Sequence, residues 1–145
     1  MPDVPLSEDA ALVLALAGTA IRFADSPESE AEHWLRILRM HGEVGAAMQA
    51  LGVGEKSLEE ARRTSGSQRF RRGTENVVEL ARTRAAENAV ARDSELMGTI
   101  DVLEAVAGIY GSVFEAVLYA RGPSLDELRE RLATAPEERS AAKHL

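Results

Sequence analysis

The strongest constraint on the fold is a helical pattern that occurs twice in the chain. His33-Trp34-Leu35-Arg36-Ile37-Leu38 precedes Gly42-Glu43-Val44-Gly45-Ala46-Ala47 and then Leu51-Gly52. Further on, Asp101-Val102-Leu103-Glu104-Ala105-Val106 precedes Gly111-Ser112-Val113-Phe114 and Arg121-Gly122. Each copy closes on a short amphipathic segment, Ser57-Leu58-Glu59-Glu60 in the first and Ser124-Leu125-Asp126-Glu127-Leu128 in the second. A duplicated helical unit creates two pseudo-equivalent surfaces, and with them two chances for a binding site. It points away from a catalytic cleft assembled once.

Local signals place the helices within each copy. Ser7 caps a first helix that reaches about Phe23, Glu8 and Asp9 oppose its dipole, and Ala10, Val13, Leu14 and Ala17 give it an apolar stripe. Ser26-Pro27 restarts the chain, with proline suited to a first helical turn. A second helix carries Trp34, Leu35, Ile37 and Leu38 and ends at Gly42. Trp34 is expected to be largely buried. A third runs from about Val44 to Leu51 and stops at Gly52, a left-handed cap. Ser57 and Glu60 have capping-box spacing for a fourth. In the second copy a helix over residues 74–91 is anchored by Val77, Val78, Leu80 and Ala81. Thr99 opens the next, with Ile100, Val102, Leu103 and Val106 as core candidates. Ser112 with Glu115 and Ser124 with Glu127 repeat the capping-box device for the last two. The expected fold is all-α: two tandem pseudo-symmetric four-helix repeats, about eight short helices in a single domain spanning 1–136. Repeat one covers about 6–65, a linker 66–69, repeat two about 70–133, and residues 137–145 form a polar tail.

Bulk properties exclude several classes. A chain of 145 residues buries roughly 70% of its unfolded surface. With no cysteine, disulfide frameworks, thiolate zinc sites and cysteine nucleophiles are ruled out, and a reducing cytoplasm is the natural compartment. The apolar stretch at residues 10–17 is too short to span a bilayer. A net charge of −7 argues against general nucleic-acid binding. Arg62, Arg63, Arg69, Arg71 and Arg72 form one basic cluster between the copies, read either as an anion or DNA-associated patch of a small regulatory protein or as a solvated linker. There is no Gly-x-x-x-x-Gly-Lys-Ser/Thr loop, so ATP is not expected as a ligand. His33 and His41 lie about two helical turns apart, too far to chelate one ion from an unbroken helix. His33 reads as a packing residue at a helix start. Ser94, Thr99 and Ser112 read as loop or cap residues with no base near them in sequence. Neither catalytic residues nor a metal or cofactor is expected.

With the repeat laid out, the chain resembles the amino-terminal domain of the Clp (Hsp100) unfoldases, especially the ClpC branch, over about residues 6–132. The family copy runs from Phe-Thr-x-x-Ala through Gly-Thr-Glu-His-Ile-Leu-Leu to Gly-Glu-Gly-Val-Ala and Leu-Gly. Glu32-His33-Trp34-Leu35, residues 42–47 and Leu51-Gly52 carry the likeness in the first copy. Phe70, Val77, Glu79-Leu80, Gly98-Thr99, Val102-Leu103 and Gly122 carry it in the second. The family domain precedes two ATPase modules, for which this chain has no room, so the likeness implies a stand-alone, non-enzymatic recognition domain.

The resemblance also implies site residues. In ClpC-type domains the glutamate of each Gly-Thr-Glu-His motif helps recognise phosphoarginine: the carboxylate pairs with the guanidinium and amides at a helix start receive the phosphate. Glu32 matches that glutamate, although Glu30-Ala31 replaces the Gly-Thr before it. Glu32 also stands three residues after Ser29, the spacing of a capping box. In the second copy Ile100 and Asp101 stand where Glu-His would be, and Asp101 could serve only by a shifted geometry. The family's inter-repeat groove takes adaptor proteins and certain cyclic-peptide antibiotics. Phe70, Glu75, Asp3 and Ala11 map to that groove, with Phe70 open to a second reading as inter-repeat core. An apparent insertion at residues 91–97 either tunes partner choice beside the groove or is a neutral elongation. The implied partners are clients or adaptors of a ClpC-type unfoldase, or a cyclic-peptide antibiotic. The chain would modulate Clp-dependent proteolysis in the first case and sequester the antibiotic in the second.

Overall fold

The structure, a computed structural model, describes residues 4–21, 24, 26–53 and 74–134. The described residues contain seven helices: α1 (Glu8–Ala20), α2 (Pro27–Arg39), α3 (Gly42–Ala50), α4 (Thr74–Ala91), α5 (Thr99–Tyr110), α6 (Ser112–Tyr119) and α7 (Leu125–Thr134). The fold is all-helical, as the periodicity predicts.

Several boundaries follow from local chemistry visible in the sequence. The Ser7 hydroxyl accepts from the Ala10 amide at 3.1 Å and caps α1, which spans Glu8–Ala20; Phe23, its expected end, lies outside the described residues. Ser26 caps α2 by accepting from the Ser29 amide at 3.0 Å, with Pro27 in the first turn. Gly52 (φ +87°) terminates α3, and the Val53 amide reaches back to the Met48 carbonyl at 3.0 Å, the long closing bond of a Schellman motif. Ser124 and Glu127 form a reciprocal capping box at α7: the Ser124 amide donates to Glu127 at 2.8 Å, and the Glu127 amide to the Ser124 hydroxyl at 3.1 Å.

Three expectations need correction. Gly42 does not end α2; that helix stops at Arg39, and Gly42 opens α3 with φ +68°, making a sharp turn that only glycine adopts cheaply. Ser112 does not cap α6. The cap position falls on Gly111, whose φ of +58° lets α5 turn directly into α6, and Ser112 is already helical and exposed. Leu80 is not a core anchor of α4: it is 40% exposed, and α4 is buried instead along Ala81, Ala85 and Ala89. That alanine row at i, i+4 and i+8 lets α5 lie close along α4. The expected fourth helix at Ser57 and Glu60, the arginine cluster and the polar tail lie outside the described residues.

One hydrophobic core joins the helices. α1 contributes Val13, Leu14 and Ala17, α2 Trp34, Leu35 and Leu38, α5 Val102, Leu103 and Val106, and α6 Phe114 and Leu118. Trp34 is fully buried, as expected. α2 packs on α1, α3, α5 and α6, α3 packs also on α5 and α7, and α1 also on α4. No single helix among the described residues is long and apolar enough to cross a membrane.

Candidate functional site

Two regions stand out: a buried polar junction at the start of α2 and an uncharged outer face on α1. The junction begins with a helix that starts early. Because Ser26 and Pro27 initiate α2, residues 30–32 lie inside it, and the Glu30 amide already donates to the Ser26 carbonyl at 2.9 Å. Ser29 is likewise within the helix, so the proposed Ser29–Glu32 capping box does not form; Ser26 does the capping three residues earlier.

Glu30 and Glu32 are both buried, at 2% and 3% exposure, which demands partners for their oxygens. Arg121, in the turn between α6 and α7, donates to Glu32 in a nearly fully buried ion pair. Burial pushes the Glu32 carboxyl above its ordinary value of 4.5, and the charge and hydrogen bond of Arg121 pull the other way. Glu30 accepts from the Tyr110 hydroxyl at the end of α5. The same hydroxyl accepts from the Trp34 indole N–H at 3.2 Å, making a directional chain from indole to phenol to carboxylate.

The second half has a comparable arrangement on different partners. Asp101 is 1% exposed at the start of α5. One of its oxygens accepts from the Gly98 amide at 2.9 Å, which caps the helix. Arg92 grips the carboxylate in bidentate fashion, at 2.9 and 2.8 Å. Thus Glu32 and Asp101, the two carboxylates that the motif comparison singles out, each hold an arginine of the same chain. The segment over residues 91–97 is pinned rather than loose. The Ser7 amide donates to the Met97 carbonyl at 2.9 Å, and the Met97 amide to the Pro5 carbonyl at 2.8 Å, forming a parallel bridge at Leu6 and Met97.

The α1 face is different in kind. From Ala10 to Ala20 the helix contains no charged residue. Ala10, Val13, Leu14 and Ala17 face the core, yet the opposite side is also largely apolar: Ala11, Ala15 and Gly18 are exposed, Leu12 is 48% exposed and Leu16 43%, and Thr19 is its one exposed polar side chain. Leu12 and Leu16, one turn apart, sit side by side. The exposed sides of α2 and α7 instead carry Glu28 and Arg36, and Asp126, Glu127 and Arg129. A helix apolar all round is ordinarily buried on both sides. α1 packs on α4, whose Leu80 and Val90 are also exposed.

Of the groove residues expected from sequence, Ala11 lies on this outer face and Glu75 in the first turn of α4. Asp3 and Phe70 are outside the described residues. His33 and His41 are half-buried, on α2 and in the turn before α3. Among the described residues, no group of three His, Asp or Glu side chains could hold a metal ion. Sequence reasoning missed Arg92, Tyr110 and Arg121, and no local signal pairs them with carboxylates on other elements. It missed Leu12 and Leu16 as well, although the uncharged run over residues 10–20 was a signal that could have found them. No family model matches the chain, and no curated protein matches it.

Proposed function

We propose that this chain is a non-catalytic recognition domain, a divergent relative of the Clp (Hsp100) amino-terminal domain, that binds a peptide or adaptor along the outer side of α1. The observation carrying this reading is the uncharged outer face with Leu12 and Leu16 exposed side by side. In the two-repeat reading α1 corresponds to α4, α2 to α5 and α3 to α6. The packing of α2 on α6 and of α3 on α5 is the exchange of partners that such a pseudo-twofold arrangement requires, and it supports the reading. α1 and α4 are then the equivalent helices flanking the groove, and both carry exposed leucines. The internal arginines on Glu32 and Asp101 favour this surface over a phosphoarginine site, because an incoming guanidinium would have to displace one already bound.

Two roles fit such a surface in a cytoplasmic protein: modulation of Clp-dependent proteolysis through an adaptor or client, or sequestration of a cyclic peptide that targets the homologous domain. The ligand separates them. Titration calorimetry with a ClpC adaptor and with such a cyclic peptide tests the reading, using wild type and Leu12→Glu/Leu16→Glu. Both positions are already solvated, so the double variant is expected to keep its fold and lose binding at least tenfold. Binding that is unaffected by the double substitution would place the site elsewhere, and failure of both ligand classes would remove the proposal.

A further inference from the structure

We infer that α6 is a latch: a short helix seated on α2 by a polar clamp at each end and able to undock as a unit while the rest of the fold persists. α6 has only eight residues and buries three of them, Phe114, Val117 and Leu118. Positive-φ glycines bracket it, Gly111 at +58° before it and Gly122 at +135° beyond it. Next to each glycine stands a residue that reaches into α2. Tyr110 donates to Glu30 on the approach side, and Arg121 donates to Glu32 on the exit side. Both anchors of α6 therefore converge on two buried carboxylates of a single helix turn.

This arrangement differs from ordinary apolar docking. Directional bonds to Glu30 and Glu32 are made only in one register, so the seated state is specified sharply. They hold the helix less firmly than equal apolar burial, because undocking returns a carboxylate and a guanidinium to water and restores their hydration. The upward push that burial exerts on the Glu32 carboxyl, larger than the opposing pull of Arg121, is consistent with that penalty in the seated state. Glycines at both ends supply the backbone freedom for the move, and a short helix with few buried apolar residues belongs to the low-stability end of a fold. The inference is independent of what binds α1.

The absence of cysteine makes the test clean. Single thiols are introduced as Val117→Cys on α6 and Ala85→Cys on α4, and labelling by a thiol reagent is timed in the native protein. Trp34, the sole tryptophan, reports in parallel because its indole bonds to Tyr110 at the hinge. The Val117→Cys thiol is expected to label at least tenfold faster than the Ala85→Cys thiol. Adding Arg121→Met should speed the first at least tenfold more than it speeds the second, and shift Trp34 emission to the red. Tyr110→Phe, which removes one hydroxyl, carries the same comparison if Arg121→Met does not fold. Equal labelling of the two thiols in the wild-type background, or equal acceleration of both by a clamp variant, would mean that α6 opens only with global unfolding and would overturn the latch.

Discussion

Gly45 offers a sharp test of how the first two helices after α1 meet. It lies inside α3, where replacing glycine by alanine normally stabilises a helix by about 1 kcal/mol through backbone entropy. Here an alanine Cβ would stand 2.6 Å from the Arg39 carbonyl oxygen and 3.0 Å from both the Arg39 carbon and the Leu38 oxygen. Those atoms are the backbone at the end of α2, so relief requires α2 and α3 to part by roughly half an ångström rather than a side chain to swing. Overpacking of this kind costs about 1–3 kcal/mol, and a rigid backbone obstacle belongs to the upper part of that range. The propensity gain offsets only part of it, leaving a net loss of about 1–2 kcal/mol. For a domain of this size that lowers Tm by about 2–8 °C. Gly18 and Gly108 are internal controls. Both are exposed helical glycines; a Cβ on Gly18 meets nothing within 4 Å, and one on Gly108 meets only the Arg84 guanidinium at 3.9 Å. Gly18→Ala and Gly108→Ala should raise Tm by about 2–4 °C each. Calorimetric melting of the three variants decides the matter. A Gly45→Ala protein that melts at or above wild type would refute the close approach of α3 to the end of α2.

The remaining predictions concern the polar junction. Arg121→Met leaves Glu32 buried without its cation and should cost about 3–5 kcal/mol in urea unfolding, whereas Glu32→Met/Arg121→Met should recover most of that loss; a double variant as unstable as the single one would show that the two groups are not coupled. Because burial holds the Glu32 carboxyl above 4.5, the folded state binds its proton more tightly than the unfolded chain. Its contribution is therefore full below about pH 4.5 and declines as pH rises through the folded value. The urea midpoint of wild type relative to that of Glu32→Gln should fall over that window and level off above it; a relative midpoint that rises with pH would reverse the assignment. Phosphoarginine titrated calorimetrically should give no saturable heat, since Arg121 already occupies Glu32; stoichiometric binding lost in Glu32→Ala would show that the ligand displaces Arg121.

Legibility of the fold depended on whether a signal was local. Ser7, Gly52 and the Ser124–Glu127 pair act within a few residues of themselves, so spacing alone located three helix ends. Ser112 misled because the capping-box spacing to Glu115 is present, but Gly111 turns the chain one residue earlier. Leu80 misled for a packing reason. Hydrophobicity favours leucine as the core face of α4, while the close approach of α5 selects the alanine row at Ala81, Ala85 and Ala89.

The junction was less legible for a deeper reason. Glu30 and Glu32 alternate with Ser29 and Ala31 just after Glu28, and a cluster of acids at a helix start reads as a solvated first turn that favours the dipole. Nothing near them announces that Tyr110, 80 residues on, and Arg121, 89 residues on, will cover them. Burial turns the same two carboxylates from surface charges into groups whose partners are compulsory. A motif comparison finds the acid that could receive a guanidinium, but only the fold reveals that the chain supplies the guanidinium itself. With Arg121 on Glu32 and Arg92 on Asp101, both acids serve to hold helices together, so in the proposed recognition role the surface left for a partner is the outer side of α1, which residues 10–20 keep uncharged.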